Sequence, residues 1–224
     1  MRKPKEANEE KLKAFISKNQ STNLDGGGMS CAALPIESIQ KISKEQIRSG
    51  KRININFGLM LQVGMFTGLR YSDLTSLRRY NLVNAGEHYI LEGKTKKTSS
   101  SYMKPISKEL GDMLISNSVD NDSGLLLHNN GKEWQHGWLC RKIQKAFVVE
   151  LEKAKRDAKR KGERITIGAH SLRKTYGLHI YNTSGINAAR IALQHANLAT
   201  TSRYLGVGHE EQIQIEQAAF IGLW

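Results

Sequence analysis

The fold is decided by one apolar stretch, INFGLMLQVGMFTGLRYSDL at residues 55–74. Its first part, Ile55 to Leu69, is apolar nearly all the way round a helix, which is typical of a helix buried on every side. The run is interrupted at Gln62, Gly64 and Thr67, and it is shorter than the about 20 residues that cross a bilayer. We therefore predict the central helix of a globular core and no membrane segment.

The regions on either side alternate between two periodicities. Apolar residues at helical spacing predict further helices over residues 36–49, 72–79, 107–116, 133–161, 171–181, 186–193 and 199–205. Segments of period two at 89–91 and 102–106 flank the polar stretch 93–101, which predicts two short strands joined by a hairpin. We therefore expect a mainly α fold with a small antiparallel β-sheet, an α+β architecture.

The charge of the chain indicates a polyanionic partner. Its 224 residues include 34 Lys and Arg against 21 Asp and Glu, a formal net charge of +13. Binding to nucleic acid is the simplest explanation for a protein this basic. Within the predicted helix 133–161, Lys153, Arg156 and Arg160 are candidates for contact with the DNA backbone. The alternative is that this basic run is only a solvated helix face.

Cysteine and histidine usage gives no sign of a disulfide framework or a metal site. Only two cysteines occur, Cys31 and Cys140, with no signal-peptide pattern ahead of them. We therefore expect reduced thiols and a cytoplasmic protein associated with the nucleoid. Metal-ligand spacing with either cysteine is missing for His128, His136, His179 and His209. We expect neither a metal nor a cofactor.

Two arginines differ from this general basicity because each lies in a short motif. Arg70 follows the buried helix, and Arg173 comes three residues after His170, so that the histidine and the arginine share a helix face. Guanidinium groups are planar forks of donors that match phosphate oxygens, and two of them can cradle one phosphate. Further along, His195 is followed nine residues later by Tyr204. This order of residues indicates chemistry on a phosphodiester.

The ordered motifs resemble the catalytic domain of the tyrosine recombinases, the phage integrase family of site-specific recombinases. The matching segments are the Thr-Gly-Leu-Arg-x-x-Asp-Leu box at 67–74, a Gly-Lys-Thr hairpin at 93–95, the His-x-x-Arg box at 170–173 and the His-to-Tyr box at 195–204. Gln194 departs from the family, which commonly has glycine before the second histidine. One such box alone carries little information, whereas the set in this order is specific.

The resemblance implies a reaction that breaks and rejoins DNA without metal, cofactor or ATP. Tyr204 would be the nucleophile that attacks a DNA phosphorus, leaving a 3′-phosphotyrosyl link and a free 5′-hydroxyl. Arg70 and Arg173 would neutralise the charge that gathers on the non-bridging oxygens. Because the covalent intermediate retains the energy of the broken bond, religation would reverse the same steps.

The resemblance also implies roles in proton transfer and positioning. Lys94 would protonate the departing 5′-oxygen, with Lys97 in the same hairpin as the alternative general acid. His170 would act near the nucleophile as general base or orienter, and His195 would hydrogen-bond the phosphate. Asp73, one helical turn past Arg70, would support the local geometry.

The chain is predicted to divide into three parts. Residues 1–30 would be a polar arm or linker, residues 31–206 the recombinase catalytic domain, and residues 207–224 a tail helix for contact between protomers. The tail is acidic and apolar, a composition that suits a protein groove better than DNA. The expected partners are double-stranded DNA and further copies of the chain, which would form a tetramer on DNA and could be monomeric in solution.

Two other functions stay open on this reasoning. A type IB topoisomerase shares the chemistry but relaxes supercoils as a monomer without strand exchange, and the acidic tail and short chain argue against it. A DNA-binding relative that occupies recombination sites without cutting them is the alternative from another class. Covalent attachment to nicked DNA distinguishes the enzymes from the binding protein.

Overall fold

The structure is a computed structural model that describes residues 30–120 and 124–207. Its helices are α1 (Ile36–Arg48), α2 (Arg52–Thr67), α3 (Tyr71–Thr75), α4 (Lys108–Asn117), α5 (His136–Ala146), α6 (Val148–Arg160), α7 (Ala169–Leu193) and α8 (Leu198–Leu205). Its strands are β1 (Ser30–Cys31), β2 (Leu82–Asn84), β3 (His88–Lys94), β4 (Ser101–Ser107) and β5 (Ile165–Thr166). Ser30–Leu205 form one compact unit. The predicted arm up to residue 29 and the predicted tail from residue 208 lie outside the described residues.

The middle of helix α2 is buried on every side, as its composition predicts, while Phe66 near its end is 50% exposed. Residues 59–61 point in successive directions around the helix, and all of them are fully buried. The helix packs against α1 and α7. It ends at Gly68, whose φ is +61°, and a Cβ at this position would lie 2.2 Å from the ring of Tyr176 in α7. This close approach fixes where the chain leaves the core and begins the turn that carries Arg70.

No helix within the two described ranges is long and apolar enough to cross a membrane. The apolar character of α2 is explained instead by neighbouring helices and by the core side chains around it. Its burial supplies much of the hydrophobic stabilisation, since fully burying one large aliphatic side chain contributes about 1.5–3 kcal/mol.

The antiparallel sheet has the order β2-β3-β4. In the hairpin of β3 and β4, Leu91 lies opposite Lys104 and Lys94 lies opposite Ser101. The two predicted strands are therefore confirmed, but β2 is an addition to the predicted sheet. The parallel pairing of β1 with β5 was also not predicted, because two-residue strands that are distant in sequence leave no periodic signal.

The predicted single helix over residues 133–161 is wrong. The structure has two helices, α5 and α6, which meet at Phe147, where φ is −115° and ψ is 41°. Phe147 is fully buried and belongs to the hydrophobic core, so the helical backbone is interrupted where this ring packs inward. Neither glycine nor proline marks the break. The converse holds for α7, which covers two predicted helices with a non-helical residue between them, Gly185, at φ +79°.

We expect the Gly68→Ala variant to be less stable than the matched variant Gly86→Ala. Both glycines have positive φ, which costs about 1–2 kcal/mol for a residue with a Cβ. A Cβ at Gly86 would meet nothing within 4 Å, whereas one at Gly68 would overlap the ring of Tyr176. The overlap should add about 1–3 kcal/mol to the loss in the free energy of unfolding, measured by denaturant titration. Equal losses in the two variants would contradict the packing described for α2 and α7.

Candidate active site

Arg173 connects two of the motifs predicted from the sequence. It lies near the start of α7 and is only 7% exposed. Its Nη1 donates a hydrogen bond to the carbonyl oxygen of Gly68, and its Nη2 donates to that of Leu193. The Arg70 turn and the turn that leads to His195 are thereby held against the same guanidinium.

The ionisable side chains of the motifs lie within electrostatic reach of one another. Burial, followed by the charge on Arg70, lowers the pKa of Arg173 to about 10, while Tyr204 and Asp73 act in the opposite direction. Coulomb interactions weaken with distance, so these groups share one region of the molecule. We name Arg70, Arg173, His195 and Tyr204 the arginine cluster.

Tyr204 lies on α8, partly buried, beside both arginines. Burial raises the pKa of its phenol to about 12, and the charges of Arg173 and Arg70 partly oppose this rise. Its Oη donates to the backbone oxygen of His170 at 3.4 Å. The ring packs edge-on against the imidazole of His195, with the two centroids 5.3 Å apart. The phenol is therefore protonated near neutral pH and needs a proton acceptor before it can act as a nucleophile.

His195 is held as a neutral imidazole. Burial, together with the charges of Arg173 and then Arg70, lowers its pKa to about 4. Its Nδ1 lies 3.1 Å from the hydroxyl of Thr201 in α8. A neutral imidazole beside two guanidinium groups can exchange hydrogen bonds with a phosphate without adding a further buried charge.

His170 keeps contact with solvent at the start of α7. Partial burial of its ring lowers the pKa of His170, and the charges of His136, Arg173 and Arg70 add to this effect. The ring is thus favoured in its neutral form, which is the form that can accept a proton.

Asp73 joins the Arg70 turn to the β-hairpin. It is 3% exposed, and its Oδ1 accepts a hydrogen bond from the backbone N–H of Lys96 at 2.8 Å. Its Oδ2 is buried and makes no hydrogen bond with any residue that the structure describes. The carboxylate therefore fixes the base of the hairpin turn relative to α3, and it offsets part of the positive charge at Arg173.

The two candidate general acids lie in the hairpin, on either side of the Lys96 N–H that Asp73 binds. Lys94 is the last residue of β3, and Lys97 lies in the turn that follows; both are exposed. The turn is closed by the Thr95 and Thr98 hydroxyls, which are 2.7 Å apart. Among the described residues, no hydrogen bond or ion pair joins either lysine to the arginine cluster, so the choice between them stays a prediction.

The DNA-backbone candidates lie on α6. Lys153, Arg156 and Arg160 are all exposed, while Leu151 and Ala158 of the same helix are buried. The structure therefore gives α6 a basic solvent-facing side, without any hydrogen bond between the described part of this side and the arginine cluster.

The surroundings of Gln194 show how the chain accommodates its departure from the family pattern. Its backbone is in the left-handed region, with φ +53° and ψ 44°, which glycine adopts without strain. The glutamine side chain compensates by donating from Nε2 to the backbone oxygen of Ser101 in β4 at 2.6 Å. The substitution thus adds a bond between the hairpin and the turn that precedes His195.

Sequence reasoning missed Lys104. Its Nζ donates to the backbone oxygen of Ala192 at 2.7 Å and to the Oη of Tyr176 at 3.2 Å. A signal was present, because residue 104 lies between Tyr102 and Ile106 in a strand of period two, where an apolar side chain is expected.

The described residues contain no group of three or more His, Cys, Asp and Glu side chains arranged to hold a metal ion.

Solved structures of recombinases share this fold. The XerH site-specific recombinase bound to palindromic difH substrate matches with a TM-score of 0.60 at 21% identity, over 85% of this chain and 53% of that chain. The catalytic domain of bacteriophage HP1 integrase matches with a TM-score of 0.53 at 20% identity, over 86% of this chain and 96% of that domain. The chain thus has the fold of a tyrosine recombinase catalytic domain and spans about half the length of XerH.

The chain belongs to the phage integrase family, whose family model matches residues 34–211. A relative in Bacillus subtilis (strain 168), the probable integrase/recombinase YoeC, is 24% identical over 176 residues, which cover 78% of this chain and 88% of that protein. The resemblance and the fold class predicted from the motifs are therefore confirmed.

We expect His195 to titrate far below an ordinary histidine. Histidine NMR should give a pKa of about 4, compared with about 6.5 for an exposed imidazole. Arg70→Gln should raise this pKa by removing a nearby positive charge, although burial would still hold it below the ordinary value. The matched variant Arg79→Gln should leave it unchanged, because Arg79 bonds Ser118 instead. A value near 6.5 in the unmodified protein would contradict the burial of the ring beside the arginines.

Proposed function

We propose that the chain is the catalytic domain of a site-specific recombinase that cleaves and rejoins double-stranded DNA through a 3′-phosphotyrosyl intermediate. The observation that carries this proposal is the arginine cluster: Arg173 is bonded to both neighbouring motifs, and Arg70, His195 and Tyr204 are electrostatically coupled to it. Two guanidinium groups beside a phenol form a site for one phosphate diester and one nucleophile.

In the proposed reaction, Tyr204 Oη forms a bond to the phosphorus and the P–O5′ bond breaks. The phosphate stays on the 3′-oxygen, now joined to tyrosine. Arg70 and Arg173 stabilise the negative charge on the two non-bridging oxygens, which is the largest contribution expected in phosphoryl transfer. Attack on the same phosphorus by the 5′-hydroxyl of a cut strand from the partner duplex releases the tyrosine, which regains its proton, and forms a new diester.

Proton transfer accompanies both bond changes. The Tyr204 proton passes to His170, whose neutral form is favoured by its surroundings, and Lys94, or Lys97 in its place, gives a proton to the departing O5′. In the described structure the Tyr204 hydroxyl is bonded to the His170 backbone oxygen. DNA entry therefore has to replace that bond with contact between the phenol and the His170 ring.

Several further assignments belong to this proposal. Residues 31–206 are the catalytic domain, residues 1–30 an arm or linker, and residues 207–224 a helix that contacts another protomer. Exchange between two duplexes breaks strands on both, with one tyrosine used for each cut strand, so the active form on DNA is a homo-oligomer, with a tetramer as the expected size. The reaction takes place in the cell interior, where the DNA is.

The decisive experiment is covalent trapping on a nicked DNA substrate in the presence of a chelator. We expect a protein–DNA adduct that disappears in Tyr204→Phe and persists in the control Tyr80→Phe, since Tyr80 is a surface residue with 66% exposure. Salt-sensitive binding without any adduct would support the DNA-binding alternative and would overturn the proposal. Relaxation of supercoiled DNA by a monomer, without strand exchange, would indicate a type IB topoisomerase.

A second experiment tests the basic side of α6. Replacing Lys153, Arg156 and Arg160 together by glutamine should weaken DNA binding. The plot of log association constant against log salt should become less steep, by up to about 0.9 for each lost phosphate contact. The control replaces Lys41, Lys44 and Arg48, three exposed residues of α1, and removes the same charge. Equal losses of slope in both triple variants would show that only net charge matters.

A further inference from the structure

Lys104 occupies a position that the sheet reserves for a core side chain. It lies on β4 between Tyr102 and Ile106, both of which are buried, and opposite Leu91 of β3. Side chains two residues apart share a face of the strand, so the ammonium group enters the space between the sheet and α7. An apolar residue there would satisfy the alternation of the strand, and the lysine needs another explanation.

The contacts of Lys104 are directed at the end of α7. Its Nζ donates to the backbone oxygen of Ala192, and the next carbonyl, that of Leu193, accepts from Arg173. The last carbonyls of a helix have no partner within the helix and carry its partial negative charge. Two cations from different elements therefore hold two consecutive carbonyls at this helix end.

The turn that follows is fixed to the same strand a second time. The Gln194 side chain donates to the Ser101 oxygen of β4, and the His195 N–H donates to the Arg190 oxygen at 3.0 Å. Strand β4 thus grips the residues on both sides of Leu193. Because His195 directly follows this turn, its position depends on those bonds.

Lys104 also contacts the ring of Tyr176, which packs against the Arg70 turn. Its Nζ lies 4.9 Å from the centroid of the Tyr176 ring and 3.2 Å from its Oη. The same ring approaches Gly68, whose carbonyl oxygen accepts from Arg173. One ammonium group therefore contacts structures that lead to both sides of the arginine cluster.

We propose that Lys104 is a positioning residue for DNA cleavage, which holds the end of α7 so that Arg173 and His195 face the same phosphate. This inference rests on the proposed recombinase function. Lys104 touches neither the phosphate nor the nucleophile; it acts through the carbonyl of Ala192 and the ring of Tyr176.

The pH dependence of cleavage distinguishes this role from simple packing. Burial, followed by the charge on Arg173, lowers the pKa of Lys104 to about 8. The groups around it stay protonated near pH 8: the pKa of Arg173 is about 10, that of Tyr102 is about 12, and burial raises that of Tyr176. The buried positions of α2 and α4 carry uncharged side chains, as does Leu91 on β3. Loss of the Lys104 proton above about pH 8 should therefore weaken its hold on Ala192.

The test measures the rate constant of adduct formation on nicked DNA from pH 7 to pH 9 with the full chain. We expect Lys104→Met to lower this rate at least tenfold at pH 7. The difference from the unmodified protein should shrink as the pH rises through 8, since the unmodified protein then loses the same charged contact. Lys108→Met is the matched control, because Lys108 also lies over a tyrosine ring but is exposed and paired with Asp112; it should follow the unmodified protein at every pH.

Stability separates positioning from unfolding. A lysine whose pKa is lowered in the folded state makes folding less favourable while it is protonated, and folding becomes more favourable as the pH rises from about 8 towards its ordinary value. Lys104→Met should therefore be at least as stable at pH 7 as the unmodified protein, with a weaker rise in stability above pH 8. Lys104→Arg keeps its charge throughout this range, so it should keep its rate above pH 8 and carries the test if the methionine variant does not fold.

The proposal is overturned if Lys104→Met cleaves at the unmodified rate, if its deficit is the same at every pH, or if Lys104→Arg loses rate above pH 8 as the unmodified protein does. Absence of any adduct with the unmodified protein would contradict the recombinase function itself, which is a different result.

Discussion

The site depends on a buried guanidinium that, among the described residues, is bonded to backbone oxygens and to no carboxylate. Arg173 places two of its N–H groups on the carbonyls of Gly68 and Leu193, which fixes its plane while leaving its charge largely uncompensated. Breaking either bond would leave a buried polar group without a partner, at about 1–3 kcal/mol. The Arg70 turn and the His195 turn therefore keep their separation, because one rigid planar group spans them.

This arrangement makes the site electropositive. The pKa values of Arg173, His170, His195 and Lys104 are all lowered, each with burial as its largest cause. Each shift means that the surroundings disfavour positive charge, and an anion bound beside Arg173, His170 and His195 would offset this effect for those three groups. Under the proposed function, the negative charge of a phosphate diester offsets this electrostatic cost. Binding of DNA should therefore stabilise the folded protein. The clustered positive charges thus lower the stability of the free protein and raise its affinity for the reacting phosphate.

Sequence reasoning was most successful where local pattern and structure coincide. The buried helix and the two hairpin strands follow from periodicity, although the helix ends at Thr67 and not at the predicted Leu69, and the motifs indicated the family. It failed at Phe147, where the helix breaks because a core ring must turn inward, and neither glycine nor proline announces such a break. It also missed Lys104, because the alternation of the strand marks an inward position but does not reveal the Ala192 carbonyl and the Tyr176 hydroxyl that the ammonium group contacts in α7.

The hydrogen bonds of His195 follow from the demands of its proposed ligand. Phosphate oxygens only accept, so Nε2 of the neutral ring must carry the proton if that nitrogen faces the phosphate, and Nδ1 must then accept. The acceptor role at Nδ1 requires a donor, and the hydroxyl of Thr201, fully buried and 3.1 Å away, is placed to supply it. That hydroxyl also lies 3.3 Å from the Asn197 oxygen, which competes for its single proton. Phosphate binding at Nε2 would therefore select the hydroxyl rotamer that points at the ring, and this would couple α8, which bears the proposed nucleophile, to occupation of the site.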